Sequence, residues 1–254
     1  MSSVLIIAKT TMLENARKQV FHVVTLLTLT VVCASVLLSV FTLGVQVKIL
    51  KDLCMTSILF CGGILAVALA STALPSEIET RTCYPVLARP ITRTQHILGK
   101  YLGTISTVYL GLAVIGIAFA VLLAARGALD GLLILALVYA LLEVALVAAV
   151  AFCLSVFSTP AVAVMISLLV FIAGSVKIGY FSHLVNGISN PVIKGAGLFI
   201  YHLIPNLESF NFKDALVHQL PVPEAYLAQV AIYGVCYTAF MLTVATAAFA
   251  KKEL

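Results

Sequence analysis

Charge is scarce in this sequence: Lys, Arg, Asp and Glu make up 10% of its 254 residues, against about 25% in ordinary soluble domains. Hydrophobic residues make up 62% and mean hydropathy is +1.16, so a water-soluble fold would have too little polar surface to cover itself. Strict alternation of apolar and polar residues is also missing, which excludes a transmembrane β-barrel. No phosphate-cradling loop is present: L-G-K-Y-L-G at 98–103 has a Gly-Lys but lacks the glycine five residues earlier and the Ser or Thr that should follow. Neither G-x-S-x-G nor H-E-x-x-H occurs, and His22, His96, His183, His202 and His218 fall at unrelated spacings, which argues against an intramembrane hydrolase. His202 and His218 are read as solvated or interfacial side chains rather than metal ligands. The 15 Lys and Arg never form a run longer than two, leaving a nucleic-acid partner without support. The six cysteines lack C-x-x-C spacing and lie mostly in apolar runs, so they read as buried small hydrophobes and not as a zinc site or disulfide framework.

What is present is a series of long apolar runs. About 20 apolar residues cross a bilayer as a helix, and in lipid only helices or closed barrels satisfy the backbone. The chain therefore reads as an all-α polytopic membrane protein in a single transmembrane domain, with spans at about 20–45, 54–74, 101–124, 131–157, 161–176 and 226–249. Residues 2–19 read as an amphipathic helix lying along the membrane surface, with Leu5, Ala8, Met12 and Ala16 on one stripe. No cleavable signal peptide is expected, since about twenty residues including an acid precede the first long apolar run.

The segment 76–100, S-E-I-E-T-R-T-C-Y-P-V-L-A-R-P-I-T-R-T-Q-H-I-L-G-K, is too polar for lipid. Ser76 with Glu79 fits a capping box, Pro85 and Pro90 limit the short helix it opens, and Thr92 with Gln95 repeats the box at the next helix. After the short fifth span, 177–225 carries four glycines and four prolines. Its apolar stretch 195–204 suits a re-entrant or interfacial helix, or, as the alternative, part of a seventh span. With six spans and both termini in the cytoplasm, nine Lys and Arg face inward and six outward, three of those in the long segment, which accords with the positive-inside rule.

The density of specific residues in Glu77, Ile78, Glu79, Thr80, Arg81, Tyr84, Pro85, A-R-P at 88–90, Arg93 and G-K at 99–100 resembles the cytoplasmic loop of bacterial ABC transporter type 2 permeases. Pro205, Asn206, Leu207, Phe210, Asn211 and Asp214 are similar to that family's P-N-x-x-x-F-N-x-x-D segment, and Phe249, Lys251, Lys252, Glu253 and Leu254 to its basic terminus. The resemblance implies a permease of the bacterial inner membrane, without its own ATPase motif, in an ATP-driven exporter. Its partners would be an ABC ATPase subunit, which binds the ATP and Mg, and a second permease copy or a paralogue. It further implies that about Ser76–Leu87 is a coupling helix docking on the ATPase, with Glu77, Ile78, Glu79, Arg81, Tyr84 and Leu87 as contact residues. Similar chains serve lipids, glycans, peptides, drugs and the nitrous-oxide-reductase maturation system. The residues by themselves allow a solvated, capped helix there instead.

Glu143 falls near the middle of the fourth span, where a charge costs at least about 2.5 kcal/mol. It reads either as part of a translocation path or proton-sensitive latch, or as a packing residue hydrogen-bonded by Tyr109 or Tyr139. Two other function classes stay open. A partner-independent channel or secondary transporter should show matched intramembrane charges, and a membrane anchor for a signalling or enzyme complex would need the same cytoplasmic loop.

Overall fold

The computed structural model describes residues 3–40, 46–76, 92–176 and 204–250, and every regular element among them is helical. In chain order these are α1 (Ser3–Ala16), α2 (Gln19–Val40), α3 (Gln46–Ala73), α4 (Arg93–Ala125), α5 (Gly131–Phe157), α6 (Pro160–Ser175), a 3₁₀ turn at Glu208–Phe210, α7 (Lys213–His218) and α8 (Glu224–Ala250). Five of them, α2, α3, α4, α5 and α8, are long and apolar enough to cross a membrane, and α6 is a shorter apolar helix. The exterior is correspondingly apolar: Leu26, Leu37, Ile117, Met165 and Leu169 are all at least 65% exposed, which suits side chains that meet acyl chains instead of water.

α3 and α5 form the centre, and most of their residues are buried. Both are rich in small residues, G-G-I-L-A-V-A-L-A-S-T-A at 62–73 and A-A-V-A at 148–151, so their backbones approach neighbours closely enough for packing to replace the hydrophobic drive that lipid does not supply. α2 and α8 lie at the periphery, with most side chains facing outward.

The polar connections are shorter than the pattern suggests. α3 already begins at Gln46, so Lys48, Lys51 and Asp52, which fall in the gap 46–53 between the first two apolar runs, sit on its first two turns. α4 begins at Arg93, capped by the expected reciprocal box: Thr92 Oγ1 accepts from Gln95 N, and Thr92 N donates to Gln95 Oε1. Ser76 Oγ donates back to Thr72 O at 2.5 Å. Its expected box partner Glu79 lies outside the described residues, as does 195–203.

α1 departs from the expected stripe. Ile7, Thr11 and Asn15 are its buried residues, whereas Leu5 is 54% exposed and Ala8, Met12 and Ala16 flank the contact. The inward face is turned by one residue, about 100° on a helix of 3.6 residues per turn. The cause lies on α4: a Cβ at Gly103 would stand 2.5 Å from Ala8 O and 2.6 Å from Thr11 Cβ, so the absence of a side chain there lets the α1 backbone settle against α4. Asn15 Nδ2 then donates to Thr104 Oγ1 at 3.2 Å. Neither partner is apolar, so the contact is invisible to a hydrophobic count.

Candidate functional site

Glu143 stands about 18 Å along α5 from Gly131, at about 1.5 Å per residue. It is 4% exposed, and among the described residues its Oε2 has no hydrogen-bond partner. The expected tyrosine donors are engaged elsewhere: Tyr109 Oη donates to Leu141 O at 3.0 Å and Tyr139 Oη to Leu227 O at 2.8 Å. Tyr139 is needed across the bundle, where it ties α5 to α8 and packs edge-on to Phe212 with ring centroids 4.6 Å apart.

Glu143 instead lines a cavity of about 140 Å³ between α3, α5, α6 and the segment that descends before α8. The other described residues of its wall are Thr56, Leu59 and Phe60 of α3, Phe171 and Ser175 of α6, and Leu207, Glu208, Asn211 and Lys213. The wall depends on one close approach: a Cβ on Gly63 would meet the Phe171 ring at 2.3 Å, so glycine there lets that ring lie against α3.

The segment 204–223 shows why its motif has these residue types. Phe210 is fully buried against Gly234 and near Tyr233 of α8. Asn206 N donates to Tyr233 Oη at 3.0 Å, and Leu207 N donates to Gly174 O at 3.1 Å. Asn211 Oδ1 accepts from Lys213 N at 3.1 Å, closing the turn into α7. α7 ends at Gln219, whose φ of 53° is left-handed and whose Nε2 donates to Asp130 Oδ2 at 3.3 Å.

Two ion pairs fix this end of the bundle. Lys51, 3% exposed, donates to Asp130 in the connection between α4 and α5, and the hydrogen bond from Lys51 holds the Asp130 carboxyl below its ordinary pKa. Lys213 of α7 pairs with Asp52 at 3.1 Å. Adjacent residues of α3 thus hold two different elements. The sequence offered one signal for the first pair: Lys51 and Asp130 carry opposite charges in the short gaps 46–53 and 125–130 between its apolar runs.

At the other end, the first turns of α4 gather both ends of the described chain. Arg93 Nη1 donates to Phe249 O and Ala250 O at 3.0 and 3.1 Å, the His96 ring stacks on Phe249 at 6.2 Å, and Lys100 lies 3.7 Å from Glu14 of α1. His96 and Lys100 are 1% and 5% exposed; Lys100 belongs to the G-K pattern at 99–100, whereas His96 was not singled out as a site residue. This collar lies where the polar segment 77–91 enters α4. Glu77, Ile78, Glu79, Arg81, Tyr84 and Leu87 themselves lie outside the described residues.

Over residues 2–254 the sequence matches the family of ABC-2 family transporter proteins. The chain belongs to the ABC-2 transporter family. No curated protein matches it closely enough to add a nearer relative. As an ABC-2 permease it is a multi-pass membrane subunit of an ABC transporter, the kind of chain that is not itself the ATPase. Its L-G-K-Y-L-G sequence, which fails as a phosphate loop, has a packing use in this permease: Gly99 and Gly103 are the seat of α1.

Proposed function

We propose that this permease works as the membrane half of an ATP-driven exporter, moving its cargo by alternating access powered by a separate ABC ATPase. The segment 76–87 is the coupling helix in this reading, both termini are cytoplasmic, and a second copy or a paralogue completes the transporter. The family match over residues 2–254 is the observation that carries the proposal. The sequence supplies the complement, since a subunit that lacks a phosphate loop of its own needs a partner to hydrolyse ATP.

The collar on α4 suits force transfer. A load applied to 77–91 reaches α4 directly, and α1 and α8 through the Lys100–Glu14 and Arg93–Phe249 contacts. Alternating access needs rigid elements that move as units, because packed cores switch between discrete arrangements and do not deform continuously.

The test is purification of the full-length chain from its native membrane in mild detergent, followed by measurement of ATPase activity across the eluted peak. Co-elution of an ABC ATPase, with accumulation of cargo on the far side of ATP-loaded vesicles, is expected. ATP-independent flux by the chain alone would replace the exporter with a channel or secondary transporter.

A further inference from the structure

The cavity at Glu143 has a chemistry that subunit coupling does not use. An ionised carboxylate 4% exposed at mid-membrane requires a counter-charge or a proton. Among the described residues of the cavity wall one is basic, Lys213, and it has Asp52 as its partner at 3.1 Å. With Lys213 so engaged, the Glu143 carboxylate makes the chemistry of the cavity favour a cation.

The rest of the lining narrows the kind of cation. Thr56, Ser175 and Asn211 offer oxygen acceptors. The Ser175 hydroxyl proton is given to Phe171 O at 2.9 Å, which leaves its lone pairs for a donor from the cavity. The Phe60 and Phe171 rings, with centroids 6.2 Å apart and tilted by 42°, sit in the same wall as Leu59 and Leu207. Aromatic rings attract cations, organic ammonium groups among them, and the leucines suit the carbons attached to such a group. A bare metal ion fits less well, since among the described residues no group of three or more His, Cys, Asp and Glu side chains could hold one. At about 30 Å³ per water, 140 Å³ holds four or five small heavy atoms, about the size of a short alkylammonium. Asn211 and Phe60 are exposed, so the cavity has an entrance.

We propose that this cavity is a binding site for the ammonium end of an organic amine, with the Glu143 carboxylate as its counter-ion and the Phe60 and Phe171 rings beside it. The site lies within one protomer and does not depend on the exporter reading.

The absence of tryptophan from the sequence gives a direct readout, because Phe60→Trp would carry the protein's sole indole emission. Full-length Phe60→Trp protein in lipid nanodiscs is titrated with n-butylammonium chloride, and with n-butanol and sodium chloride as controls. A saturable emission change with butylammonium alone is expected. Glu143→Gln in the same background should weaken binding at least tenfold. A second readout without the tryptophan is the thermal unfolding temperature of the wild-type chain, which butylammonium should raise and butanol should not. The proposal fails if butylammonium produces neither response, or if Glu143→Gln, eluting as a monodisperse peak, binds it as tightly as the parent. A response to sodium equal to that for butylammonium would make this an inorganic cation site and would likewise overturn it. Should Glu143→Gln not fold, Ser175→Leu fills the cavity while keeping the carboxylate, and retained binding by that variant refutes the assignment.

Discussion

Lys51 stands near the start of α3 and Asp130 in the connection between α4 and α5, and their pairing ties these elements at the bundle end opposite the collar. Lys51 is 3% exposed whereas the Asp130 side chain is 30% exposed, so the two halves are not equivalent. Asp130→Asn leaves a buried ammonium without its counter-charge. Breaking a fully buried pair costs about 3–5 kcal/mol, and solvent access on the Asp130 side lowers the expectation here to about 1–2 kcal/mol. Thermal unfolding in detergent should show that loss, and Asp52→Asn, from the more exposed pair with Lys213, should cost less. The pH dependence follows from the direction of the Asp130 shift. A lowered folded-state pKa contributes stability that is complete above the ordinary carboxylate value, about 3.9, and is lost as pH falls through the lowered value. The difference between wild type and Asp130→Asn should therefore stay constant from about pH 5 to 8 and shrink only below about pH 4. A difference that vanishes already at about pH 6 would mean the pair is not what Asp130 contributes.

At the scale of elements, α1 depends on α4 for its seat. Gly103→Val places branched carbon where Ala8 O stands 2.5 Å from the position of a Cβ. Overpacking of this kind costs about 1–3 kcal/mol, and its effect should be confined to α1, because the buried contacts of α3 with α5 are elsewhere. Limited proteolysis in membranes should cut near Arg17 faster in Gly103→Val, while the membrane-embedded remainder stays protected. The proposed coupling helix is tested by Tyr84→Asp. If Ile78, Tyr84 and Leu87 anchor an ATPase groove, a charge in a desolvated pocket should reduce ATPase association at least tenfold, since buried aromatic and aliphatic anchors dominate interface energetics. Insertion and yield should not change, as no membrane helix is touched. Full ATPase binding by Tyr84→Asp would remove 76–87 from that role.

For the whole molecule, the collar constrains topology. Glu14 of α1 and the last carbonyls of α8 both meet the first turns of α4, so the two ends of the described chain lie at one end of the bundle, and the Lys51–Asp130 and Lys213–Asp52 pairs lie at the other. In the proposed orientation the collar end, with its excess of Lys and Arg, faces the cytoplasm, as the positive-inside rule favours. Reporter tags at Ser2 and Leu254 should both respond to cytoplasmic reagents, and a cysteine at Asn190 should be labelled from outside by a membrane-impermeant maleimide. Opposite responses from the two terminal tags would require an odd number of spans, as the seven-span alternative does.

The helical class, the long apolar crossings and the Thr92–Gln95 cap were legible in the chain itself, because each rests on local physics: run length against bilayer thickness, and a box closed within four residues. The P-N-x-x-x-F-N-x-x-D pattern was legible as a resemblance, though not in its purpose, which is to bury Phe210 against Gly234 and bind Leu207 N to Gly174 O. Tertiary structure alone decided which face of α1 turns inward, because the deciding absence of a side chain belongs to Gly103, about ninety residues away in sequence. It also decided that Tyr109 and Tyr139 serve backbone carbonyls and leave Glu143 Oε2 without a donor among the described residues. Residue type and spacing record what a side chain is able to bond. Which partner it meets depends on helices brought together across the bundle, where periodicity along one helix carries no information.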